Sequence, residues 1–567
     1  MIHLETDHKK RTYDAIVVGS GISGGWAAKE LTERGLKVLM LDRGKPLEHI
    51  TGYADSNLDP WEYAHRGRLS IEQKQSHPYL SRRYPYSEHN DPFWFKDTDA
   101  PYTETKRYDW FRPNIVGGRS IMWGRQSYRL SDYDFGANAR EGVGADWPIR
   151  YADLVPWYEY VERFVGISGE NLGLDHFPDQ ILQPPMSMNV AEKYVKQGLE
   201  KAFPDRKMTM GRAANLTQPL NGRGSCNYRG ICHRGCPYGA YFSTQSATLP
   251  AAMATKRLTL KANSIVNSIL FDEKKNKAKG VLVIDSETQE RTEYYAKIIF
   301  VCASTNHSTW LLMNSRPPQY LDGLGNESGV LGHYLMDHHQ QIGASGVVEG
   351  FEDKYVFGGR PNGVYIPRFQ NIGSDKRSYL RGFGYQGGAG RGGWSRVIPE
   401  LGFGKDMKEQ ATEPGTWSMG LGAFGEILPN FKNHSKLNFD LKDKWGQPTM
   451  NFDAELGDNE MAMRKDMMSE AAAMLEAAGC KNIKTFDNAP PKLLSGAIHE
   501  MGTARMGRDP KTSILNENNQ IHTCKNVFVT DGSAMVSSGN VNPSLTYMAL
   551  TARAAAFAVA GLKKGEL

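Results

Sequence analysis

The chain's first clear pattern is a β-branched apolar run, Tyr13-Asp-Ala-Ile-Val-Val18. A run without polar alternation predicts a strand buried on both faces. Glycines follow, and apolar positions Trp26, Ala27 and Leu31 then recur at helical spacing from Ser23 to Arg34. Gly35 ends that helix, and Lys37 to Leu41 reads as a second strand. A strand, a helix and a strand within about thirty residues make the βαβ unit of a parallel sheet.

Residues 45–110 hold many Pro, Tyr and His and no sustained period, which predicts extended excursions rather than a domain. Helical spacing returns at 149–165, through Tyr151, Leu154, Tyr158, Val161 and Phe164, and again at 190–203. Alternation from 257 to 302 predicts a small antiparallel piece returning to a buried strand at Val301. Residues 340–450 are Gly-rich, aromatic and β-like, and predict a second antiparallel sheet roofing a ligand site. A helix is expected over 458–479, with Met461, Met463, Met467, Met468 and Met474 as core filling. Asn526 to Asp531 reads as a strand and Pro543 to Leu562 as a final helix. The two ends of the chain therefore predict one α/β domain around inserted β pieces.

Composition narrows the classes. With 40% hydrophobic and 23% charged residues among 567, whole-chain disorder and coiled coil are excluded. A net charge of +5 is small and scattered, so no nucleic-acid partner is expected. The apolar run Leu545–Leu562 is interrupted by Arg553, so no membrane span is expected. Met1 to Thr12 is polar, with Lys9, Lys10 and Arg11 and no apolar core after them, so no signal peptide is expected there. Six cysteines are too few for a disulfide scaffold. Three of them, Cys226, Cys232 and Cys236, fall within eleven residues and suggest a metal site; Cys302, Cys480 and Cys524 are isolated.

Gly19-Ser20-Gly21-Ile-Ser23-Gly24 follows the first strand and opens the first helix. The first glycine allows the tight turn, the second lets backbone approach a pyrophosphate, and the third lets helix and strand pack closely. Asp42 ends the second strand, where an acidic side chain can hold a ribose hydroxyl. This context predicts a dinucleotide site without deciding between NAD and FAD. Two distant segments favour FAD: the loop Val116-Gly117-Gly118-Arg-Ser120-Ile-Met122-Trp123-Gly124, which could press backbone against a flat ring, and Val529-Thr-Asp531-Gly532-Ser533.

With these segments the sequence resembles the glucose–methanol–choline (GMC) oxidoreductases, which use FAD to oxidise alcohols. The resemblance also rests on Asp42-Arg43-Gly44, Val301-Cys-Ala303-Ser304 and Leu331-Gly-His-Tyr-Leu-Met-Asp-His338. Its most specific parts are His499-Glu-Met-Gly502-Thr-Ala-Arg505 and Asp531-Gly532 leading to Gly539-Asn-Val-Asn542-Pro543-Ser544. It implies the GMC fold, a Rossmann-like FAD-binding domain with an inserted antiparallel substrate sheet. It divides the chain into residues 1–345, mainly FAD-binding, 346–490, mainly substrate sheet and helix, and 491–567, the return to the FAD domain. It implies that His499 and Asn542 face the flavin as the catalytic pair, a neutral imidazole taking the hydroxyl proton and an amide steadying the oxygen. Met122 stands where some relatives carry a flavin-bonded His, so non-covalent FAD is expected. Cys302-Ala303-Ser304 departs from the family's usual Ala-Ala-Gly. His338, His339 and His522 read as structural histidines.

The Cys226-x5-Cys232-x3-Cys236-Pro237 spacing leaves three readings open: an iron–sulfur site, a zinc site with His233 as fourth ligand, or reduced structural thiols. The same pattern, in loop 222–240, resembles the catalytic subunit of bacterial FAD-dependent glucose dehydrogenases, which implies a 3Fe–4S cluster. That resemblance implies a dehydrogenase passing electrons to an external acceptor such as a cytochrome c or a quinone-linked carrier. It further implies a small subunit bearing a Tat signal, and periplasmic residence through that partner. Segments 123–135 and 146–153 are similar to bacterial glucoside 3-dehydrogenases, so oxidation of a glucoside C3 hydroxyl is expected, with C1 or polyol oxidation as the alternative. Gln126 could contact a sugar hydroxyl.

Overall fold

The computed structural model describes residues 11–59, 61–356, 358–393 and 403–567. The expectation for Met1–Lys10 and the part of the 340–450 sheet falling on 394–402 lie outside the described residues.

The first pattern forms as β1 (Thr12–Val18), α1 (Ile22–Glu33) and β2 (Val38–Leu41). β1 pairs in parallel with β2 on one side and with strand Arg291–Val301 on the other. Strand 291–301 pairs in parallel with Cys524–Val529, and Leu258–Lys261 lies parallel beyond β2. Alternate residues of this sheet enter two cores. Ile16, Val18, Leu39, Leu41, Ile299, Val301, Val527 and Val529 fill one. Ala15, Val17, Val38, Met40, Ile298, Phe300 and Phe528 fill the other. Burial on both faces is why these strands read as unbroken apolar runs. The antiparallel piece is a hairpin, Ser264–Asp272 with Lys277–Asp285, and strand 291–301 changes partner along its length. Its first half, 291–295, pairs with the hairpin, and from Tyr295 to Val301 it pairs with β1.

The second sheet has six strands in the order 481–487, 338–348, 417–426, 383–391, 364–366 and 209–210. Helix Asp458–Ala477 packs Met463, Met467, Ala471 and Met474 into the same core as Ile342, Ala344, Met419 and Leu421. Met463, Met467 and Met474 are core residues, as their spacing predicts, while Met461 and Met468 are half-buried against the cores. Strands His434–Lys442 and Pro448–Asp453, expected in this sheet, instead form a separate three-stranded sheet with Thr103–Glu104. Phe452 draws them there: it stacks on Tyr108 with ring centroids 4.1 Å apart and meets Tyr102 and Trp110 edge-on. The expected boundary at 345/346 falls inside strand His338–Val348. The last helix, Ser544–Lys564, is apolar and long enough to cross a membrane by composition, yet Leu545, Met548, Ala549, Ala552, Ala555 and Val559 are buried within the protein. It packs on α1 and on helix Tyr151–Val165.

Candidate active site

A cavity of about 400 Å³ runs from the tip of β1 to the second sheet. At its near end the glycine turn is fastened to the end of β2. The Gly19 N–H donates to the Leu41 carbonyl at 2.8 Å. Asp42 accepts from the Ser20 amide at 2.8 Å, the Ser20 hydroxyl at 2.5 Å and the Gly44 amide at 2.6 Å. A carboxylate offers about four lone-pair sites, so these three donors orient Asp42 and leave one for a ribose hydroxyl. Burial pushes its carboxyl above the ordinary range, and the Ser20 and Gly44 donors oppose that shift. A Cβ on Gly24 would run into the Gly19 carbonyl, which is the close packing expected of the third glycine. A Cβ on Gly21 would meet nothing within 4 Å and would enter the open cavity. That open cradle at a helix N-terminus fits a pyrophosphate.

Three further groups complete the wall. Gly117 and Gly118 adopt φ values of +92° and +49°, which bend the second glycine loop toward the first. The Gly117 amide donates to the Ser20 hydroxyl at 2.7 Å, and Ser120 returns a bond to the Gly117 carbonyl at 2.7 Å. Asp531 accepts from Ser308 at 2.5 Å and from the Ser533 amide and hydroxyl at 3.0 and 2.6 Å; Ser308 in turn accepts from the Ala303 amide at 3.0 Å. Arg43 lies over Phe95 and Trp445, reaches Asp443 at 3.2 Å, and keeps a buried Nε without a partner at the cavity wall. An open glycine cradle, an oriented acid and an unpartnered buried donor fit FAD.

The far end brings together three elements. Asn542 Nδ2 lies 3.1 Å from His499 Nε2, although the two residues are 43 apart in sequence. Gln386 Nε2 donates to Asn542 Oδ1 at 2.8 Å. His499 Nδ1 lies 3.0 Å from His338 Nδ1, and His338 Nε2 lies 2.8 Å from the Gly539 carbonyl. The Asp337 carboxylate accepts from the backbone amides of His338, Gly496 and His499 at 2.8, 3.1 and 2.9 Å. Burial, His338 and Arg119 hold His499 well below the ordinary imidazole range, so it is neutral. Arg119 is itself paired with buried Glu500 and donates to Ser304 at 2.6 Å.

Cys226, Cys232 and Cys236 line one small cavity of about 30 Å³. Tyr228, at φ +55°, turns its amide onto Cys226 Sγ at 3.4 Å. Burial raises the Cys226 and Cys232 thiols, and nearby Arg125 opposes it. His233 Nδ1 is 3.3 Å from the Met122 carbonyl, so its ring faces the glycine loop.

Of the expected cofactor residues, Gly19, Ser20, Gly21, Ser23, Asp42, Arg43, Gly118, Ser120, Met122, Trp123, Gly124, Ala303, Asp531, Gly532 and Ser544 line the large cavity, with His499 and Asn542. Gly24 and Gly117 shape the loops behind it, and Pro543 caps the last helix. Gln126, offered as a sugar contact, lines the cavity, with its Nε2 donating to Asn362 at 2.6 Å and its Oε1 accepting from Tyr128 at 2.5 Å. His338 is not an isolated structural histidine, since it meets His499. Gln340, Gln386 and Phe424 of the second sheet also line the cavity. They carry no motif, and only the approach of that sheet reveals them.

A glycine cradle, a second glycine loop and a His–Asn pair at one cavity define a flavoprotein oxidoreductase. Family models described as GMC oxidoreductase match residues 13–340 and 432–551, and the chain belongs to the GMC oxidoreductase family. It is 29% identical over 571 residues to a 2-methyl-1,2-propanediol dehydrogenase of Mycolicibacterium austroafricanum, covering 95% of this chain and 94% of that one. It is 25% identical over 574 residues to a fructose dehydrogenase large subunit of Gluconobacter japonicus, covering 97% and 98%. Its fold is similar to that of a formate oxidase of Aspergillus oryzae, with a TM-score of 0.61 at 15% identity over 98% and 99% of the two chains.

Proposed function

We propose that this protein is an FAD-dependent dehydrogenase that oxidises a secondary hydroxyl of a sugar, the C3 hydroxyl of glucosides and disaccharides, to a keto group. The observation that carries the reaction class is the 3.1 Å spacing of His499 Nε2 and Asn542 Nδ2 at the cavity. A hydroxyl entering between them would replace the Asn542–His499 hydrogen bond, donating its hydrogen to His499 Nε2 and accepting from Asn542 Nδ2. His499 then takes the hydroxyl proton, and Asn542, held by Gln386, steadies the developing alkoxide. FAD, bound non-covalently beside Met122, supplies the acceptor for the carbon-bound hydride. Gln340 and Gln386 give the cavity amide groups suited to a polyhydroxylated substrate. The two named dehydrogenase relatives support a polyol or sugar, and segments 123–135 and 146–153 support the glucoside reading.

Cys226, Cys232 and Cys236 would hold a 3Fe–4S cluster, which supplies one-electron transfer to an external acceptor such as a cytochrome c or a quinone-linked carrier. Their shared cavity supports this. Similarity to a large subunit supports a small partner subunit, and Tat export with that partner would make the protein periplasmic.

The test is to incubate the purified protein with methyl glucoside, glucose and an artificial electron acceptor and to identify products by NMR. A 3-keto sugar is expected. A lactone from glucose, with methyl glucoside untouched, would move the reaction to C1.

A further inference from the structure

We propose that His338 is a positioning residue for the reaction: it holds His499 in the tautomer with the proton on Nδ1 and the lone pair on Nε2. The proposal rests on the reading of His499 as the proton acceptor. It is argued from the direction of one hydrogen-bond chain.

The chain starts at a group whose role has no alternative. The Gly539 carbonyl can only accept, so the His338 nitrogen 2.8 Å away, Nε2, carries a proton. His338 lies fully inside the protein, and burial depresses it to about 4, so at neutral pH it carries that one proton only. Its Nδ1 is therefore a lone pair. The atom 3.0 Å from that lone pair is His499 Nδ1, which must donate. A neutral His499 with hydrogen on Nδ1 has its lone pair on Nε2.

At the other end of the chain the bonds run in the same direction. Gln386 Nε2 donates to Asn542 Oδ1 at 2.8 Å, which fixes that amide with its NH2 group toward His499. Asn542 Nδ2 can only donate, and it faces His499 Nε2 at 3.1 Å. Both ends thus place the lone pair on the nitrogen that faces the cavity. Without an acceptor at Nδ1, an imidazole in water divides between both tautomers, and the one with hydrogen on Nε2 cannot take a proton there.

The backbone holds the two rings in this relation. Asp337 accepts from the amides of both His338 and His499, at 2.8 and 2.9 Å, and the rings meet edge to face at 86°. Asp337, His338 and His499 also bring potential metal-ligand atoms within 4.8 Å of one another. Here the carboxylate is engaged by three backbone amides and His338 Nε2 by a carbonyl, which is the pattern of a hydrogen-bond chain.

The test compares His338→Asn with His338→Leu in the FAD-loaded protein. Asn places Oδ1 close to where Nδ1 stands and keeps the acceptor; Leu removes it. Protein labelled with ¹⁵N at histidine reports the tautomer, with His499 signals assigned by their loss in His499→Gln. In the native protein and His338→Asn, His499 should show a protonated Nδ1 and an unprotonated Nε2. In His338→Leu it should become a mixture, with kcat down by about 100-fold and KM nearly unchanged. His338→Asn should recover most of that kcat. A native His499 protonated on Nε2, a tautomer unmoved by Leu, or a His338→Asn as slow as His338→Leu would each overturn the proposal. If His338→Leu fails to hold FAD, the native and His338→Asn spectra decide alone. Unchanged kcat in His499→Gln would instead refute the reading of His499 as acceptor and leave the tautomer result standing.

Discussion

His233 Nδ1 stands 3.3 Å from the carbonyl of Met122, so the cysteine loop touches the glycine loop that walls the large cavity. The loop that would hold a cluster thus adjoins a residue of the cavity that would hold the flavin. If the three thiols hold the proposed cluster, Cys232→Ser removes one of its ligands and the purified variant should lose its iron. Sugar should still bleach the flavin anaerobically, while reduction of a one-electron dye slows. Iron analysis and stopped-flow absorbance read the two effects separately, and a full loss of bleaching in a folded variant would contradict the division of labour.

His499→Ala removes the proposed proton acceptor but no element of the dinucleotide turn. Turnover should fall by about 10²- to 10⁴-fold. The visible flavin spectrum of the purified variant should stay that of the native protein, because the contacts of Gly21, Asp42 and Asp531 are untouched.

Gly21 and Gly24 separate cofactor binding from folding. A Cβ on Gly24 collides with the Gly19 carbonyl, so Gly24→Ala should destabilise the fold by about 1–3 kcal/mol. A Cβ on Gly21 touches no protein atom and fills cofactor space. Gly21→Ala should therefore melt like the native protein when both are stripped of FAD, yet bind FAD more weakly. Thermal melts with and without added FAD distinguish the two variants.

Buried histidine gives the stability a pH dependence. His338 is held at about 4 in the fold, while an unfolded imidazole titrates near 6.5. Between these values the unfolded chain binds the extra proton, so stability is complete above about pH 6.5 and falls as the pH drops toward 4. This one site accounts for up to about 3 kcal/mol over that window. Denaturant titrations at pH 7 and pH 5 should show the loss, and His338→Asn should lessen it. His307, His339 and His499 are also lowered by burial and add in the same sense.

The parallel core could be read from the chain because burial on both faces writes itself as consecutive apolar residues, as in Ala15 to Val18 and Ile298 to Val301. The glycine turn was equally readable, since its three glycines answer three different steric demands within six residues. The sheet at 434–453 was placed with the wrong neighbours because alternation marks a strand without naming its partner. Phe452 settled that through ring contacts with residues about 350 positions away. His338 and Gln386 escaped for a related reason. Each acts through one atom of a residue more than 150 positions distant, across the gap between two sheets.

Strand 524–529 and the last helix complete a sheet whose first strand is residues 12–18. During synthesis, β1 therefore waits for nearly the whole chain before its sheet can close. Asp531, Gly532, Asn542, Ser544 and Tyr547 follow the other cavity-lining residues in the chain. Ile16–Val18 and Ile298–Val301 can pair with each other earlier, but the outer edge of 291–301 meets its partner strand only with residues 524–529. Cofactor capture is thereby tied to completion of the polypeptide, and a chain released early would carry the glycine turn without the means to retain a flavin.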